Sequence, residues 1–119
     1  MSRTPWERRA PDHYLVQGDA GRTVTDQLKD GNGVPVDLSI GGPAVKYLLT
    51  LKGGTTPKVN AAATIVTPAS GIVRYTYVSG DIDTAGTFIE EWQVTTGGNP
   101  VTYPEPTPHK VRVREQLGS

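Results

Sequence analysis

The sequence contains no cysteine, and this one absence removes disulfides, thiolate nucleophiles and cysteine-based zinc sites together. It also lacks a long apolar run. No segment approaches the roughly 20 residues of a membrane span, so no membrane partner is expected. Arg3, Arg8 and Arg9 have no apolar stretch behind them, which argues against a secretory signal and for a chain made in the cytosol. Nor does one sign of charge prevail. Twelve Lys and Arg stand against twelve Asp and Glu, so the excess positive field that neutralises phosphates is missing, and nucleic acid is not an expected partner.

Catalytic chemistry is equally sparse. The two histidines, His13 and His109, lie near opposite ends of the chain with a spacing that matches no metal motif. They read as exposed residues at strand ends and receive no role. No serine sits in a Gly-x-Ser-x-Gly turn, so the hydrolase elbow is absent. Asp81 and Asp83 form a DxD pair, but the surrounding Ser79, Gly80, Thr84 and Gly86 make a turn whose carboxylates cap backbone N–H groups the better reading. Asp30-Gly31-Asn32-Gly33 begins like a calcium loop, yet Val34 and Pro35 occupy positions that need a ligand and a glycine. Gly18 to Thr23 lacks the lysine of a phosphate loop and is followed by no helix. No catalytic, cofactor-binding or metal-ligating residue is assigned, and an enzyme is not expected.

What the sequence does hold is turn chemistry and period-two alternation. Gly 14 and Pro 10 are many for 119 residues, while apolar residues reach only 35%. The length suits one core. His13 to Val16 and Thr23 to Leu28 read as strands, and Asp30 to Gly33 as the turn of a tight hairpin flanked by Leu28 and by Val34 and Val36. Val45, Tyr47, Leu49 and Leu51 share one face of a core strand. Val59, Ala61, Ala63 and Ile65 share another, as do Val73, Tyr75 and Tyr77, and these two runs are expected to pair as a hairpin. Phe88, Trp92 and Val94 point inward, with Glu90 the only charge on that face, and Val111 and Val113 close the chain.

About seven short strands without a crossover helix predict an all-β fold: an immunoglobulin-like antiparallel β-sandwich over residues 12–119, preceded by an extended arm at 1–11. Within the arm, Arg3, Trp6, Arg8 and Arg9 combine an aromatic anchor with three guanidinium groups, a composition suited to docking on a neighbouring subunit. Tyr14, Tyr47, Tyr75, Tyr77 and Tyr103, with Trp92, would make a carbohydrate platform if several faced solvent, but strand tyrosines more often bury the ring.

The order of motifs resembles a known family. Gly18-Asp19-Ala20-Gly21, the run Asp30 to Leu38, and the Val45 to Leu51 strand are similar to the immunoglobulin-like N-terminal domain of tailed-phage baseplate upper proteins. Gly71-Ile72-Val73-Arg74-Tyr75, Asp83 to Phe88, Glu91-Trp92-Gln93-Val94 and Gly97-Gly98 continue the likeness, which spans Tyr14 to Val113, with Phe88 where a tyrosine is usual. The resemblance implies a virion component that contacts other virion structural proteins in symmetric copies, as a minor tail, baseplate or neck protein, with homo-oligomerisation open. Because the chain stops at Ser119, without the family's long C-terminal region, a capsid decoration protein is the alternative. A carbohydrate or host-surface binding module is a further reading.

Overall fold

The computed structural model describes residues 12–104 and 109–117. Among these residues nine strands form two facing sheets, with one 3-10 turn at Pro68–Ser70. The strands are β1 (His13–Val16), β2 (Thr23–Gln27), β3 (Ala44–Leu51), β4 (Val59–Ala62), β5 (Thr64–Thr67), β6 (Ile72–Thr76), β7 (Gly86–Thr96), β8 (Asn99–Tyr103) and β9 (His109–Arg114). The first sheet runs β1-β9-β7-β3-β4, with β8 also on β7, and the second runs β2-β6-β5. This is the immunoglobulin-like sandwich that the alternation predicts.

Strand pairing follows the apolar faces. On β3 and β7, Tyr47 sits opposite Trp92, Val45 opposite Val94 and Leu49 opposite Glu90. A register slip of one residue would turn this whole set toward solvent, so the buried face fixes the pairing. Trp92, Tyr47, Tyr77, Leu49, Val73, Val111 and Val113 are fully buried between the sheets. Tyr47 stacks on Tyr75 with ring centroids 4.6 Å apart and meets Trp92 edge-on at 4.9 Å. Such offset and edge-to-face pairs contribute about 1 kcal/mol each beyond the area they bury.

Three features depart from the sequence expectation. The strands exceed seven, partly because β8 and β9 divide one long partner of β7: β8 pairs with its Trp92 to Thr96 half and β9 with its Gly86 to Glu90 half. The run from Val59 to Ile65 changes partner at Ala63. Thr64 and Ile65 pair with β6 as expected, but β4 pairs with β3 in the other sheet. Its period-two pattern continues through the change, so alternation alone carries no mark of it. Lastly, β1 lies parallel to β9, with His13 level with Val111. The remaining pairs are antiparallel.

The turns behave as their chemistry requires. Asp30 Oδ1 accepts the N–H groups of Asn32 at 2.9 Å and Val34 at 3.1 Å, and Gly33 takes a φ of +79°. Only an isolated bridge, Lys29 with Pro35, extends this turn toward a hairpin. Asp81 Oδ2 accepts from Val78 N and from the Tyr75 hydroxyl, whereas Asp83 Oδ1 pairs with Lys58 Nζ at 2.7 Å. The two carboxylates of the DxD sequence thus serve separate turn contacts.

Candidate functional site

Four polar side chains converge at one place in the sandwich. Glu90 and His109 are register partners on β7 and β9. His13 stands on β1, where the parallel pairing brings it beside β9. Asp26 reaches across from β2 in the opposite sheet. One donor atom from each, a histidine nitrogen or a carboxylate oxygen, lies within 4.8 Å of all the others.

The short separations are specific. His109 Nδ1 lies 3.2 Å from both Asp26 Oδ2 and Glu90 Oε1. His13 Nε2 lies 3.2 Å from Glu90 Oε1 and 3.9 Å from Asp26 Oδ2. The two imidazole rings meet edge-on with centroids 6.0 Å apart. Two carboxylates and two imidazoles at these distances either share protons as ion pairs or share a cation.

Both carboxylates are held from behind. Glu90 has 0% exposure, and its second oxygen, Oε2, accepts the Tyr47 hydroxyl at 2.6 Å. The Tyr47 hydroxyl in turn touches that of Tyr77. Asp26 Oδ2 accepts the Trp92 indole N–H at 3.0 Å. The largest core side chains therefore orient the acids, and the acids face the histidines.

The electrostatics follow from this crowding. The carboxylates of Asp26 and Glu90 push both histidines up to about 10, against the opposing effect of burial. Burial acts to raise Asp26, but His109 and His13 outweigh it and hold its carboxyl well below the usual range. Burial, then the charge of Glu90, lifts the Tyr47 hydroxyl well above the ordinary tyrosine value. His13 Nε2 is shielded from solvent and makes no hydrogen bond, with Glu90 Oε1 at 3.2 Å and Asp26 Oδ2 at 3.9 Å. Beside the cluster opens a cleft of about 320 Å³, lined among others by Asp26, Leu28, Trp92, Tyr103 and His109.

The fold corrects the reading of the histidines as exposed strand-end residues. They are about three-quarters buried, at 28% and 27% side-chain exposure, and each faces two carboxylates. Asp26 was not singled out in the sequence at all. A usable signal was Glu90, a lone charge on the inward face of β7, because a buried carboxylate requires a partner. No linear spacing pointed to the rest, since the site joins positions 13, 26, 90 and 109.

The strand tyrosines bury their rings, as expected of such residues, and form no solvent-facing carbohydrate platform. Tyr47, Tyr75, Tyr77, Tyr103 and Trp92 are core residues, and Tyr14 alone of the six is exposed, at 64%. Arg3, Trp6, Arg8 and Arg9 of the arm lie outside the described residues.

No family model and no curated protein matches the chain. Among solved structures it is similar to the N-terminal domain of phage TP901-1 ORF48, with a TM-score of 0.62 and 13% sequence identity, covering 86% of this chain and 83% of that one. At that identity the likeness is one of fold.

Proposed function

We propose that this chain is a structural component of a tailed-phage virion, placed in the tail, baseplate or neck and working through protein–protein contacts. The observation that carries the reading is the shared fold with a phage protein domain over 86% of the chain. The motif order from Gly18 to Gly98, similar to that of baseplate upper proteins, supports it from the sequence side. A capsid decoration role would use the same kind of surface.

In this reading the sandwich is a rigid spacer and its sheet edges are the means of attachment. Among the described residues, β1, β4 and β8 each have a single partner strand in one sheet, and β2 and β5 in the other. Edge strands carry unpaired N–H and C=O groups that a neighbour's strand can complete. No catalysis is assigned. The test is direct: virions purified by density gradient are analysed by mass spectrometry, and a cryo-EM map of the particle is searched for the sandwich. Peptides of this chain at fixed stoichiometry, with density in the tail, support the proposal. Absence from purified particles overturns it, and density on the head replaces the tail placement with decoration.

A further inference from the structure

We propose that His13 Nε2, Asp26 Oδ2, Glu90 Oε1 and His109 Nδ1 bind one divalent transition-metal ion of the zinc class, which staples β1 and β9 of one sheet to β2 of the other. The proposal is independent of the virion reading.

Distances argue first. Zinc holds imidazole nitrogen and carboxylate oxygen at about 2.0–2.2 Å, which places tetrahedral donors roughly 3.3–3.6 Å apart. Three of the separations here are 3.2 Å and a fourth is 3.9 Å. The remaining pairs stay within 4.8 Å. Shifts of a few tenths of an ångström in most donors, and about an ångström at the widest pair, would close the tetrahedron.

The donor atoms argue next. Two imidazoles with two carboxylates suit zinc, cobalt, nickel or iron, whereas magnesium and calcium take oxygen ligands. Two carboxylates balance the charge of a divalent ion when both imidazoles are neutral. In the alternative, a metal-free network of imidazolium ions, His13 Nε2 must carry a proton. That N–H would be a solvent-shielded donor held to Glu90 Oε1, 3.2 Å away, by charge alone and without a hydrogen bond. As a neutral nitrogen within 4.8 Å of the other three donor atoms, the same atom is a ligand for a shared cation.

The surroundings argue third. Metal sites are fixed by groups that hydrogen-bond to the ligands from outside. Tyr47 holds Glu90 through Oε2, leaving Oε1 toward the histidines. Trp92 holds Asp26 through Oδ2, an oxygen with a second lone pair to give. With no cysteine in the chain, an ion at this point would supply the cross-link between sheets that a disulfide supplies in many sandwiches.

The test uses the full, untagged chain, since a histidine tag would bind the same ions. Protein stripped with EDTA is titrated with cobalt and zinc chlorides. The expected result is one ion per chain, an intense visible cobalt band typical of four-coordination, its loss on adding zinc, and no competition from magnesium or calcium. The melting temperature rises by roughly 10 °C at a hundredfold excess over Kd. His13→Gln, His109→Gln and Glu90→Gln each weaken binding on the order of a hundredfold or more, while Asp83→Asn does not. Far-UV circular dichroism verifies that each variant is folded. Failure of the wild-type chain to take up either ion at one per chain overturns the proposal, as does equal binding by a folded His13→Gln/His109→Gln double variant.

Discussion

Trp92 on β7 donates its indole N–H to Asp26 on β2 at 3.0 Å, so the largest core side chain is tied across the sandwich to the carboxylate that faces both histidines. Packing and the polar cluster are therefore not separable: what fills the core also aims the acid. Trp92→Phe keeps an aromatic ring but removes the donor and leaves a void. It is expected to lower stability by roughly 2–4 kcal/mol. Guanidinium unfolding checks this, with the midpoint falling at an unchanged slope. If the midpoint holds, the indole contributes neither packing nor orientation.

Tyr47 plays the matching part for Glu90. Its hydroxyl donates to Oε2 of a fully buried carboxylate and touches the hydroxyl of Tyr77. Tyr47→Phe preserves the ring stack on Tyr75 and deletes only the oxygen. A buried carboxylate that loses one donor, with a neighbouring phenol that loses a partner, predicts a loss of about 1–3 kcal/mol. The same denaturation measurement applies, and Tyr77→Phe, which leaves the Tyr47–Glu90 bond intact, is expected to cost less.

These two relationships show what the sequence made legible. Alternation placed Trp92, Tyr47, Phe88, Val111 and Val113 inward, because each strand buries one face and side chains switch face at every residue. The same rule put Glu90 among them without saying what it met. Strand-to-strand pairing is a property of two distant segments. Hence neither the parallel docking of β1 on β9 nor the move of β4 to the first sheet was written in any local pattern. The site inherits that limit. His13 is 96 positions from His109, the difference of their residue numbers, and only the pairing of terminal strands brings their rings 6.0 Å apart.

Gly71 tests the loop that joins the second sheet to the turn before β3. It has a φ of +68°, and a Cβ there would lie 2.6 Å from Val36 O and 2.9 Å from Leu28 O. Its own carbonyl accepts Leu28 N at 2.8 Å, so the strand end cannot simply move away. Gly71→Ala is expected to destabilise by roughly 3 kcal/mol, combining left-handed strain with a backbone clash. Gly53 shares the left-handed φ, at +87°, but has nothing within 4 Å of an added Cβ. Gly53→Ala therefore carries the strain alone, about 1 kcal/mol. The difference between the two melting curves isolates the clash, and equal losses would contradict it.

Alkaline titration tests the aromatic cluster as a unit. Burial raises the hydroxyls of Tyr47, Tyr75 and Tyr77 above the ordinary value of 10.0, with Glu90 adding to the effect at Tyr47 and Tyr77 and Asp81 at Tyr75. A raised value in the folded state means that folding favours the protonated phenol. The stability these groups contribute is therefore complete below 10.0 and falls as pH rises past it, because the unfolded chain releases those protons first. About one pH unit above that value, near-ultraviolet absorbance should register no phenolate from these three of the five tyrosines while the protein stays folded. Unfolding at the same pH releases the missing phenolate signal, and the free energy of unfolding declines steadily with further base. Immediate ionisation of all five in the folded protein would show that the tyrosines are not sealed between the sheets.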